Sequence, residues 1–155
     1  MHLVEKLYCF GVSYAGTNSR DAVYLDVGFN DIEKTFHHEV SSILLRNNSD
    51  KFDRYDWNKL SRGASTSSAN AINHGLNSTK YNPELFSKGF LTDYSMSNAE
   101  NDFNMYAENI FAGGKEFWDI VDSNPIVKEK TDIVINFYNK INPMFNEPYF
   151  RALAR

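Results

Sequence analysis

A histidine followed directly by a glutamate, inside an amphipathic segment, is the most chemically informative feature of this sequence. Residues 35–45 read TFHHEVSSILL, with His38 and Glu39 near the centre. In a helical His-Glu-x-x-His motif, two imidazoles one turn apart bind zinc, and the glutamate takes a proton from the zinc-bound water. His38 and Glu39 fit the first two positions, but Ser42 stands where the second histidine would be. A serine hydroxyl is a weak zinc ligand, so this motif is altered at one of its two metal positions.

Three segments within residues 20–112 together resemble the gluzincin class of zinc metallopeptidases. They read HHEVSS over residues 37–42, and GFLTDYS over 89–95 followed by NDFNM over 101–105. The sequence is similar to a family of zinc-binding metallopeptidases found in bacterial lipoproteins and, more distantly, to lethal-toxin-type metalloproteases. In those families the two helices typically read HHEFxH and EDFAE, and a Tyr-Ser pair stands seven residues before the first Glu of the second helix.

The resemblance implies a role for three residues. His38 corresponds to a zinc ligand, Glu39 to the general base, and Tyr94 to the phenol that stabilises the oxyanion formed on the scissile carbonyl. The implied activity is hydrolysis of a peptide or protein substrate through a zinc-bound water. Ser42 and Asn101 depart from the pattern, because they occupy the positions of the second and third zinc ligands.

Retention of zinc would therefore need substitute ligands, and three candidates are available. Glu100 and Asp102 flank Asn101, although Glu100 is also three residues after Ser97 and could complete a capping box. A small rotation of the helix would aim Asp102 inward. The third candidate is His74, in a polar loop where a solvent-exposed histidine is the more common finding.

Three hypotheses about function follow from these residues. The first is a zinc-dependent peptidase with an unusual ligand set. The second is a protein of the same fold that has lost metal and catalysis and binds a peptide or protein in its cleft. The third is a purely structural helical domain whose motif matches are accidental. Glu108, two turns beyond Asn101, is expected on the surface or bonded to the first helix.

The elements that would position these residues are read from hydrophobic periodicity. Alternation predicts strands over 7–14 and 21–29, separated by a turn cluster at 16–19. A helical stripe predicts an active-site helix over about 31–46, and a second stripe predicts a facing helix over about 97–112.

The remaining segments complete a mostly α-helical α+β fold, which the resemblance makes zincin-like with a small N-terminal sheet. We expect short helices at 54–60 and 83–87, a polar loop over 63–82 with at most a short helix at 70–74, and a tail that packs back. Two C-terminal helices are predicted over 115–122 and 125–141. We expect one domain over residues 1–155, shortened at its N-terminus if the ancestral fold has more strands.

Composition excludes several classes of function. The 155 residues include 16 Lys and Arg against 20 Asp and Glu, for a net charge of -4. No basic cluster follows one face, which argues against nucleic acid as a partner. No apolar run is long enough for a transmembrane segment, and the first residues do not form a secretory signal. The resemblance alone implies an extracellular or periplasmic location.

Overall fold

The computed structural model describes residues 1–9, 11–62 and 77–154. Within these ranges, five short strands precede seven α-helices, which confirms the mostly helical α+β fold. None of the helices described is long and apolar enough to cross a membrane. The predicted helix at 70–74 and the candidate ligand His74 lie outside the described residues.

The strands form one small sheet and one hairpin. Their bounds are β1 His2–Val4, β2 Tyr8–Cys9, β3 Val12–Ser13, β4 Gly16–Asn18 and β5 Val23–Asp26. In the sheet, whose order is β1-β5-β4, β1 is parallel and β4 antiparallel to β5. The hairpin consists of β2 and β3.

Two strand predictions differ from the structure. The predicted single strand 7–14 is a hairpin, and Gly11 lies within it with a φ of 79°. Glycine adopts this left-handed conformation without steric cost, so the chain can reverse there. The predicted turn at 16–19 instead contains β4, because its backbone pairs with β5. Glycine and small polar residues are typical of turns, so the composition of this segment did not indicate that it forms an edge strand.

The helices confirm most of the predicted periodicity. Their bounds are α1 Ile32–Asn47, α2 Arg54–Leu60, α3 Pro83–Phe86, α4 Ala99–Ala112, α5 Gly114–Ser123, α6 Pro125–Ile141 and α7 Glu147–Leu153. Two short 3₁₀ turns, Ser49–Lys51 and Tyr94–Ser97, lie between them. The tail packs back as expected, since it forms α7 and Phe150 is fully buried.

The predicted capping box at the start of α4 is wrong. The N-cap is Asn98, whose side chain accepts a hydrogen bond from the backbone N–H of Asn101. Asparagine caps a helix about as well as serine does, so the register shifts by one residue. Glu100 instead forms an ion pair with Arg46 at 3.0 Å.

Helix α4 is the centre of the core. Residues 102–110 of this helix are all buried, and α1 and α6 pack against it. Aromatic rings fill the space around it with edge-to-face contacts, such as Phe103 with Phe137 at 5.2 Å between ring centroids. Such contacts add specific geometry to the hydrophobic gain of burying large rings.

A buried ion pair fixes α4 to α6. Lys130 Nζ donates hydrogen bonds to the Asp102 carboxylate and to the Gly89 carbonyl, and it lies 4.0 Å from the Trp57 ring centroid. Burial raises the pKa of Asp102 to about 6, although the Lys130 charge acts against this shift. Neither side chain is more than 1% exposed. A charge at this depth is tolerated only while its partner is present.

We expect Lys130→Met to destabilise the protein by about 3–5 kcal/mol, because it leaves the Asp102 carboxylate buried and unpaired. Urea unfolding monitored by circular dichroism measures the loss. Lys128→Met is the matched control on the same helix, since Lys128 pairs with Asp132 at the surface and should cost less than about 1 kcal/mol. Equal losses for the two variants would contradict the role given to the buried pair.

Candidate active site

Helices α1 and α4 face each other through polar side chains. His38 contacts Glu108, and Ser41 and Ser42 contact Asn104. Residue numbers rise along α1 as they fall along α4, so the two helices run antiparallel. We call these five residues the polar seam.

The imidazole of His38 is held by a carboxylate. Its Nδ1 lies 2.9 Å from Glu108 Oε2, and the two side chains are only 13% and 9% exposed. Burial lowers the pKa of His38, but the hydrogen bond and the charges of Glu108 and Glu39 outweigh it and raise the pKa above 6.5. An ionised carboxylate only accepts hydrogen bonds, so Nδ1 carries the proton. Nε2 has no hydrogen-bond partner in the described part of the chain.

The middle of the polar seam is a closed set of hydrogen bonds. The Ser41 hydroxyl lies 2.6 Å from Asn104 Oδ1 and 2.7 Å from the His38 carbonyl, and it can donate to either. Asn104 Nδ2 donates to the Ser42 hydroxyl at 2.7 Å. All three polar side chains are buried, so both ends of the Asn104 amide are engaged away from water.

Beside the seam lies a groove with a cavity of about 360 Å³. Ala15 and Gly16 form one wall, His38 and Glu39 form another, and Tyr94 also lines it. The aromatic rings of Tyr14 and Phe29 stand partly exposed in the lining.

Glu39 is tied to the edge strand. Its carboxylate accepts a hydrogen bond from Asn18 Nδ2, and the side-chain Oδ1 of the same Asn18 amide accepts one from Arg46. The amide therefore bridges an acid and a base and links β4 to α1. This contact keeps the Glu39 carboxylate at the wall of the groove.

Tyr94 presents a hydroxyl that stays protonated. Its ring centroid lies 5.8 Å from that of His38, at the start of the second 3₁₀ turn. Burial, and then the charges of Glu39 and Glu108, raise the pKa of Tyr94 to about 12. At neutral pH the phenol can therefore donate a hydrogen bond to a carbonyl oxygen.

The neighbouring His37 has a packing role. Its ring stacks on Phe111 with centroids 4.1 Å apart and planes 2° from parallel. Burial lowers the pKa of His37 to about 4, so the ring is neutral at pH 7.

The structure brings His38, Glu39 and Tyr94 together at one groove and gives the predicted substitute ligands other partners. Asp102 lies in the interior with Lys130, and Glu100 pairs with Arg46; neither is in the described lining of the groove. Of the two expectations for Glu108, bonding to the first helix is the one observed.

The described residues do not fit a three-ligand zinc site. No three His, Cys, Asp or Glu side chains among residues 1–9, 11–62 and 77–154 come together as a ligand set. A vacant site would leave buried polar atoms without partners, but the unpaired buried side-chain atoms found in these ranges are Trp57 Nε1 and Asp102 Oδ1. Both belong to residues outside the seam. Among the histidines of the described ranges, His38 has the form of a zinc-binding histidine, with one ring nitrogen on a carboxylate.

Sequence reasoning missed two residues that shape this site. Asn104 lies one turn from Asn101, so the two residues share a helix face, and this spacing could have predicted that Asn104 faces α1. Asn18 carried no such signal, because it was read as part of a turn and its contact with Glu39 is made across 21 residues.

Gly16 allows β4 to lie directly on α1. A Cβ atom at this position would be 2.6 Å from Thr35 Cγ2.

We expect Gly16→Ala to destabilise the protein by about 1–3 kcal/mol through this clash, as measured by thermal unfolding. Thr35→Ser removes the methyl group, so Gly16→Ala should cost less in that background. The same cost in both backgrounds would show that the clash is not the cause.

Comparison with known proteins identifies the family. Residues 6–142 match the family model described as "Putative zinc-binding metallo-peptidase". No curated protein and no solved structure matches. Since the match covers most of the chain, and since His38, Glu39 and Tyr94 share one groove, the chain belongs to this family of zinc-binding metallopeptidases.

Proposed function

We propose that this chain binds an extended polypeptide in the groove beside β4 and does not hydrolyse it through a zinc-bound water. The observation that carries the proposal is the position of β4, the edge strand, at the wall of the groove. Membership of a peptidase family supports a polypeptide as the ligand class.

The backbone of β4 offers hydrogen bonds on the side away from β5, and Gly16 of this strand lines the groove. Ala15 and Ser19 bond to the β5 side, through Ala15 O to Asp26 N and Ser19 N to Ala22 O. In an antiparallel ladder alternate residues turn their N–H and C=O groups to opposite sides. Gly16 and Asn18 therefore direct theirs away from β5, where an extended peptide can add as a further strand.

Side chains in the groove complement a peptide backbone. Tyr94 donates from its protonated hydroxyl, and the Glu39 carboxylate accepts. Together with the open edge of β4, these groups offer donors and acceptors to a bound strand.

We do not propose hydrolysis, because the residues at two of the three zinc-ligand positions are hydrogen-bonded elsewhere. A catalytic zinc site uses three protein ligands and one open position. His38 corresponds to one such ligand, but the Ser42 hydroxyl is bonded to Asn104, and the Asn101 amide donates to Ser97 Oγ at 2.8 Å. The second candidate, a zinc peptidase with unusual ligands, is favoured by the presence of Glu39 and Tyr94 in the groove.

Binding is tested with fluorescein-labelled, reduced and carboxymethylated α-lactalbumin, a permanently unfolded chain, by fluorescence anisotropy. We expect Asn18→Pro to weaken binding about 2- to 10-fold relative to Asn18→Ala, since only the proline also removes the outward N–H. Proline is tolerated where an edge strand faces solvent. Equal affinity of these two variants would exclude β4 as the docking edge, and no binding by the wild type would overturn the proposal.

The two candidate functions are separated by elemental mass spectrometry on protein purified without chelators or a His tag. We expect far less than one zinc per chain in the wild type, and no further loss in His38→Ala. Near one zinc per chain, lost in His38→Ala and in His74→Ala, would instead establish a nonstandard zinc site and favour the zinc peptidase. In that case Glu39→Gln should abolish cleavage of the same substrate without unfolding the protein.

A further inference from the structure

We infer that the polar seam takes over the structural part of a zinc centre in this chain, joining α1 to α4 directly so that the fold is stable without metal. A zinc ion held by ligands from two helices ties them together. Here hydrogen bonds between the same two helices do so. The inference concerns stability and does not depend on polypeptide binding.

The contacts of the seam follow successive turns of both helices. His38 meets Glu108 at 2.9 Å, and one turn further along α1 Ser42 meets Asn104 at 2.7 Å. One more turn along, the ion pair of Arg46 and Glu100 closes the exposed end. The helices are thus joined at three levels by side chains that contact each other without an intervening ion.

The second of these levels is the position that the His-Glu-x-x-His motif assigns to a metal ligand. Ser42 is 3% exposed and Asn104 is 1% exposed, and each has its partner in the other helix. Turning the Ser42 hydroxyl toward a metal would leave the Asn104 amide buried and unpaired. Buried polar groups without partners are costly, so the network resists such a change.

The unpaired buried atoms support the same conclusion. In the described ranges these are Trp57 Nε1 of α2 and Asp102 Oδ1 of α4, both of which belong to residues that contact Lys130 of α6. The seam contributes none of them. The buried side chains of Ser41, Ser42 and Asn104 satisfy one another, as expected of a finished contact between the helices, and within the seam His38 Nε2 remains without a partner in the described ranges.

The test is urea unfolding of the wild type with excess zinc chloride and, separately, with EDTA. We expect the same midpoint in both, since a ligand stabilises a protein only if it binds the native state. An unfolding equilibrium constant lowered tenfold or more by zinc would overturn the inference.

A double-mutant cycle tests the seam itself. We expect Asn104→Ala to raise the unfolding equilibrium constant about 5- to 150-fold, the range for leaving a buried partner unpaired. Combined with Ser42→Ala, the effects should be less than additive, because the partners are already separated.

The matched control is Asn109→Ala, a buried asparagine of the same helix that binds the Tyr81 hydroxyl instead of the seam. Its effect should add to that of Ser42→Ala without coupling. Equal coupling in both cycles, or no effect of Asn104→Ala, would overturn the seam's role. If Asn104→Ala does not fold, Asn104→Ser supplies the cycle, because its shorter hydroxyl cannot span both serines.

Polypeptide binding is measured separately, so the two ideas can fail independently. A seam that couples as expected in a chain that binds no polypeptide would leave this inference intact and overturn only the proposed function.

Discussion

The burial of polar groups on two faces of α4 is the constraint on which the rest of this structure depends. A helix at the centre of a small core would ordinarily be apolar all round, whereas this one carries Asp102, Asn104 and Glu108 into the interior. Each of these groups must find a partner on another element or destabilise the fold. Asp102 is matched by Lys130 of α6, and the other two by α1. The rotation of α4 about its axis is thereby fixed from both sides.

That fixed rotation also determines the site. With Glu108 directed at α1, His38 has its Nδ1 occupied and its ring held at the groove. With Asp102 directed at α6, a carboxylate that could have served as a metal ligand becomes half of a structural ion pair. The same residue types that suggested metal binding in the sequence thus acquire different roles, because the helix presents them to different neighbours.

The sequence predicted the elements whose periodicity is strong, and it failed where local composition and tertiary pairing disagree. Helices α1, α4 and α6 were predictable from their apolar stripes, and the grouping of His38, Glu39 and Tyr94 from the family resemblance. Strand β4 was not predictable, since Gly16 resembles a turn residue until its close contact with Thr35 is known. The buried ion pair of Asp102 was also not predictable, because its partner Lys130 lies 28 residues away and lysine is rarely buried.

The enclosure of Lys130 has a consequence for the chemistry of the protein surface. Acylating reagents and modifying enzymes attack the neutral amine of lysine and need access to it, and this ammonium is sealed by three aromatic rings and a carboxylate. Lys128, two residues earlier, stands in solvent on the same helix. On this helix the Lys128 amine is therefore open to modification in the native state, whereas the Lys130 amine is shielded until the core itself opens.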